Sequence, residues 1–103
     1  MTSARVCLTL IADRALRDAL LDYLGARAAL VPGFTALDAT GHGPTARLES
    51  PAERVKGRAD RIMIHTVVTE AAAHRLIAEL TADFAGANIV YWTSAVAEFG
   101  TLG

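Results

Sequence analysis

The chain has 103 residues, 52% of them apolar and 20% charged, with a formal net charge of −1. This is one domain with enough apolar content for a packed core, which excludes a disordered chain. The near-neutral balance excludes a general electrostatic pull toward nucleic acid. The apolar runs are too short for a membrane span and no basic leader precedes them, which predicts a cytoplasmic protein without membrane insertion. The single cysteine, Cys7, excludes an intrachain disulfide and is compatible with a reducing compartment.

Arg5 to Ala12 reads as the first strand, with Asp13 as a helix N-cap. A helix follows from Arg14 to about Leu24, with Leu16, Leu20, Tyr23 and Leu24 recurring on one buried stripe. Gly25 suits the left-handed residue that ends a helix. Val31 to about Gly41 is the second strand, with Pro32 near its start, where a missing donor is tolerated. Residues 41 to 60 hold three glycines, two prolines and seven charged residues. They form an elongated hairpin loop, and the segment 44 to 60 is expected to be mobile and functional. Arg61 to Val68 is the third strand, and Thr69 caps a helix whose buried face is Leu76, Ile77, Leu80 and Phe84. Gly86 ends that helix, and Asn88 to Thr93 is the fourth strand. Val96 to Phe99 adds a short fifth strand or crosses the sheet.

The order contains a repeat. Adding 56 maps Arg5 onto Arg61, Leu8 onto Ile64, Leu20 onto Leu76 and Leu24 onto Leu80. Two β-α-β halves of this kind predict an α+β fold of the ferredoxin-like, split βαβ type. Two helices cover only one face of such a sheet. The other face carries Cys7, Thr9, Ile11, Met63, His65 and Val67, and a solvated face would alternate more cleanly to polar residues. A symmetric oligomer with the open faces meeting is the expected outcome.

No nucleophile elbow, Walker loop, HExxH or CxxC occurs, and no carboxylate pair suits acid–base work, so the chain reads as a non-enzyme. Imidazole and thiol make His42, His65 and Cys7 the candidate ligands for a transition metal. His42 stands between Gly41 and Gly43 where the loop leaves the sheet, so its backbone can approach a ligand closely. In the loop, Arg47 and Arg58 are candidate anion ligands, since guanidinium forks match phosphate and carboxylate.

Three segments, VPGFTALDATGHG (31–43), ESPAERVKGRADR (49–61) and FAGANIVYWT (84–93), carry a resemblance. The chain resembles an uncharacterised PII-like family of the PII and CutA-like superfamily, often encoded beside heavy-metal efflux systems of the RND type. The resemblance implies a homotrimer with sheets lining its centre and ligand clefts between subunits. It also implies a partner-contacting loop at 44–60, of which an efflux or regulatory protein would be the target. Gly41, His42 and Gly43 match the GxG at the base of that loop. The segment Ala85 to Asn88 lacks the lysine-bearing, glycine-rich phosphate loop of PII proteins, and no tyrosine lies between 41 and 60. ATP is therefore not the expected ligand, nor is uridylylation expected. The functions to weigh are a PII-like regulator of a small ligand, a transition-metal-binding or buffering protein, and a small enzyme with a cleft built between subunits, for which the sequence offers no acid–base pair.

Overall fold

The computed structural model describes residues 4–43, 48 and 50–103. Its single sheet has the antiparallel order β2-β3-β1-β4, built from β1 (Arg5–Asp13), β2 (Thr35–Gly41), β3 (Ala59–Thr69) and β4 (Val90–Ala95). Helices α1 (Arg17–Gly25) and α3 (Glu70–Asp83) lie on one face, and a shorter α2 (Pro51–Lys56) stands in the β2–β3 connection. This is the ferredoxin-like arrangement expected from the repeat.

The repeat has a geometric meaning. The β1–β3 register pairs Arg5 with Thr69 and Asp13 with Arg61, so Thr9 falls opposite His65. Those two residues are 56 apart, so the internal two-fold passes between them. Both copies end in a capped helix start. Asp13 accepts from the Ala15 amide at 2.9 Å, and Thr69 accepts from the Ala72 amide at 3.1 Å.

Alternation assigns the faces. Leu8, Leu10, Ala12, Ile62, Ile64 and Val68 are buried under the helices. They meet Leu20 and Leu24 of α1 and Leu76 and Leu80 of α3, the apolar stripes expected from the helical period.

Several boundaries differ from the sequence expectation. A 3-10 turn, Arg14–Leu16, precedes α1. Gly25 closes α1 in place of a left-handed cap, and the capping residue Ala26 is right-handed. Strand β2 starts at Thr35, because Pro32 offers no donor and the Gly33 carbonyl is taken by the Thr66 hydroxyl at 2.6 Å. Strand β4 runs two residues later than expected, with Ile89 packed against the core. Val96 to Phe99 makes no strand. Its contacts are a Val96 amide bond to the Arg5 carbonyl at 3.2 Å and the Phe99 ring under the Arg5 guanidinium at 5.4 Å. The expected 41–60 hairpin loop contains α2, and β3 begins at Ala59, two residues early. Helix α3 ends at Asp83 with Phe84 as its cap, so Gly86, with φ at +81°, turns the chain beyond the helix end and does not cap it.

The two long helices are joined by Tyr23. Its hydroxyl donates to Asp83 at 2.6 Å, its ring meets Phe84 edge to face at 5.1 Å, and the Arg27 guanidinium lies 3.3 Å from its centroid. Burial, followed by the Asp83 hydrogen bond, raises the Tyr23 hydroxyl from 10.0 to about 12. Because the folded value lies above the unfolded one, this stabilisation is complete below pH 10 and is lost as pH rises through about 12. Urea titrations between those values should show the Tyr23→Phe variant losing less stability with pH than the parent. Parallel pH curves for the two proteins would count against the assignment.

Candidate functional site

The helix-free face is ordered in rows by the strand register. One row is Thr35, His65, Thr9 and Trp92, and the next is Leu37, Met63, Ile11 and Val90. Leu37, Trp92 and Val90 are 44%, 44% and 56% exposed, so the face presents a broad apolar surface. Thr9 is buried within it, and its hydroxyl lies 3.0 Å from His65 Nδ1. This fixes the His65 ring on one nitrogen.

A cleft of about 400 Å³ opens at one end of this face. Arg5, Phe34, Thr35, His65, Val67 and Phe99 line it. It combines a guanidinium, an imidazole and a hydroxyl with two aromatic walls, which suits a small anion carrying a flat apolar part.

A second cleft of about 210 Å³ lies on the helix side, between the last turns of α3 and the edge strand β4. Its apolar walls are Leu10, Ile77, Leu80, Phe84, Ile89 and Tyr91. Gly86 and Asn88, with φ of +81° and +56°, turn the chain at its mouth. No lysine or arginine stands in that turn, so it offers backbone groups without a phosphate-neutralising cation.

The base of the β2–β3 connection carries the GHG motif. Gly41 pairs with Ala59 at the end of β2, and the Arg61 side chain lies across it. A Cβ here would stand 3.1 Å from Arg61 Nε, so Gly41 makes room for an arginine. His42 is exposed, with Nε2 3.2 Å from the Thr40 hydroxyl. Gly43 has φ of +105°, a conformation that needs glycine. Arg58 is exposed just beyond α2, and Arg47 lies outside the described residues, as do 44–46 and 49 of the expected mobile segment.

The metal candidates divide. Cys7 and His65 share the open face, with Cys7 opposite Val67, two positions along from the Thr9–His65 pair. His42 lies seven residues beyond Thr35 along β2, roughly 23 Å away at strand spacing. One chain therefore does not bring His42 to the other two. Among the described residues no group of three or more His, Cys, Asp or Glu side chains is placed to hold a metal ion.

Sequence reasoning missed the Arg5–Phe99 contact and with it the larger cleft. The β1–β3 register puts Arg5 beside Thr69 and near Val67, a placement obtainable from the repeat. The path of residues 96–103 carried no periodic signal.

The family model described as "Protein of unknown function (DUF3240)" matches residues 2–103. The chain belongs to the DUF3240 family. A crystal structure of a DUF3240 family protein from Shewanella baltica OS155 is 19% identical. It has a TM-score of 0.77, covering 99% of this chain and 100% of that one. A PII-like protein named CPII from Thiomonas intermedia K12, bound to ADP, AMP and bicarbonate, is 21% identical with a TM-score of 0.69. That match covers 95% of this chain and 96% of CPII. A putative PII-like signalling protein from Thermus thermophilus is also 21% identical, with a TM-score of 0.63 over 93% of this chain and 91% of that one. No curated protein matches the chain. The DUF3240 chain thus has a PII-like fold. Among its described residues no helix is long and apolar enough to cross a membrane.

Proposed function

We propose that this protein is a non-enzymatic, PII-like regulator that reads a small anionic ligand in clefts between the subunits of a homotrimer. The observation that carries this reading is a half-open cleft holding Arg5 and His65 at one end of an uncovered apolar sheet face, with a second cleft on the helix side of the β4 edge. The arginine cleft has charge and two aromatic walls, while the α3–β4 cleft is apolar and lacks a cation. A neighbour that packs on the open face and reaches round the β4 edge would close both and pool their chemistry. The ligands held by CPII, two adenine nucleotides and bicarbonate, have this mixed character.

A triphosphate suits these clefts less well than a mono- or diphosphate. Its charge would meet Arg5 and a turn without lysine. The ligand signal would pass to a protein partner through residues 44–60. The resemblance noted in the sequence makes a heavy-metal efflux component the first partner to test.

Thermal unfolding with AMP, ADP, ATP, bicarbonate and zinc tests the reading. A ligand that binds the native state at one hundred times its Kd adds about 2.7 kcal/mol of apparent stability. AMP or ADP should raise Tm clearly and ATP less, with none of the three nucleotides hydrolysed over hours of incubation. Arg5→Ala should abolish the rise. No response to any of the anions would sink the regulator reading, and a response to zinc alone would favour the metal-binding alternative.

A further inference from the structure

The β2–β3 connection is fastened to the sheet by polar groups. Ser50 and Glu53 form a reciprocal capping box at the start of α2. Glu53 Oε1 accepts from the Ser50 amide at 3.1 Å, and Oε2 accepts from the Asp60 amide at the start of β3. The Glu53 carbonyl takes the Gly57 and Arg58 amides at 2.8 and 3.3 Å. One residue thereby ties both ends of α2 to β3. Glu53 is also 3% exposed, whereas Pro51, Ala52 and Arg54 of the same helix are exposed. A six-residue helix has no independent stability, so its attachment depends on this carboxylate.

A second fastening comes from the turn after β1. Arg14 Nη2 donates to the Ala39 carbonyl of β2 at 2.9 Å, and Nε donates to the Arg61 carbonyl of β3 at 3.3 Å. The same guanidinium lies 3.7 Å from Asp38 and 3.9 Å from Asp60. It therefore holds together the two strands that the connection links. Asp60 is common to both fastenings, through its amide to Glu53 and its carboxylate to Arg14.

Arg14 contributes to the local charge balance. Asp13, Asp38, Glu53 and Asp60 gather around Arg14 and Arg61, and Arg61 is drawn 3.9 Å from Asp13. Removing Arg14 takes one of these two guanidinium groups away from the carboxylates. None of these residues belongs to the apolar cluster between sheet and helices.

We infer that Arg14 and Glu53 form a two-sided clasp, a conformational device whose release lets residues 50–58 part from the sheet as a unit while the sheet and its two long helices stay folded. That a ligand works this clasp rests on the regulatory reading above. The clasp itself does not.

Hydrogen exchange of the full chain, resolved by residue, tests it in the parent, Arg14→Met, Glu53→Gln and the double variant. Arg17→Met serves as control, since Arg17 pairs with the exposed neighbouring Asp18, away from the connection. Either clasp variant should speed exchange of the Gly57, Arg58 and Asp60 amides about tenfold or more, because a charged hydrogen-bonding partner is lost. Leu8, Leu10 and Ile64 should exchange as in the parent. The double variant should fall short of the product of the single effects, since Asp60 is shared. About 1 M sodium chloride should also speed exchange in the parent by weakening the attraction between Arg14 and its carboxylates. Unchanged exchange at 57–60 in both single variants overturns the clasp. So does a parallel rise at the core amides, or global unfolding of either variant, because the unit would then not be separable. A clasp that opens as expected in a protein that answers no ligand leaves this inference standing and removes the regulatory reading.

Discussion

Ile11→Lys is expected to turn a trimer, of three times the 10.9 kDa chain mass, into a monomer. Ile11 sits in the middle of the open face, flanked by Met63 on β3 and Val90 on β4. It is half-buried within one chain, on the side away from both long helices. In the proposed trimer a neighbour completes its burial. A lysine there would carry an unpaired ammonium into an apolar contact, a cost that outweighs the burial of the surrounding side chains. The core beneath α1 and α3 is untouched, so far-ultraviolet circular dichroism should keep its native shape. Light scattering at micromolar concentration reads the result, with Asp22→Lys on the exposed side of α1 as the control. A parent protein that runs as a monomer, or an Ile11→Lys variant that keeps the trimer mass, would falsify the packing.

The repeat made the central half of the fold readable. Strand alternation, two helical stripes and two caps are local chemistry, and each copy restates the other. The His65 environment follows from the same source. The repeat requires one pair of equivalents to face each other across β1 and β3, and the observed register makes that pair Thr9 and His65.

What escaped sequence reading has two physical causes. The first is competition between local signals. Ser50-Pro51-Ala52-Glu53 is a capping box with proline at the first helical position, a legible helix start. The surrounding glycines and charges point to a loop, and they hid it. The same tension moved the start of β2, where a β-rich run from Val31 is interrupted by Pro32 and Gly33. The second cause is tertiary. Arg5 and Phe99 meet because the chain after β4 turns back under the start of β1, an arrangement that no periodicity encodes. The larger cleft depends on that meeting. Gly41 has a role that its place in GHG did not reveal: a Cβ there would stand 3.1 Å from Arg61 Nε, so the glycine seats that side chain.

The repeat also makes a quantitative expectation about stability. Leu20 and Leu76 are equivalents across the 56-residue shift, and both are fully buried at 0% exposure. Each occupies the centre of its helix stripe, facing the same apolar cluster from opposite sides of the internal two-fold. Truncation to alanine removes equal apolar volume at each and leaves a cavity that the flanking Leu8, Leu10, Ile62 and Ile64 can fill only in part. The expected cost is about 2–5 kcal/mol at either site. A domain of this size has roughly 5–15 kcal/mol in total, so each variant should remain folded at room temperature with a markedly lower urea midpoint. The two costs should agree to within about 1 kcal/mol, the scatter expected from differences in local relaxation. Leu24 and Leu80 form the next equivalent pair, at 0% and 6% exposure, so Leu24→Ala should be at least as costly as Leu80→Ala. Chemical denaturation at fixed protein concentration reads all four, since assembly contributes equally to each under that condition. A difference of several kcal/mol between Leu20→Ala and Leu76→Ala would show that the two halves share topology without sharing the load of the core.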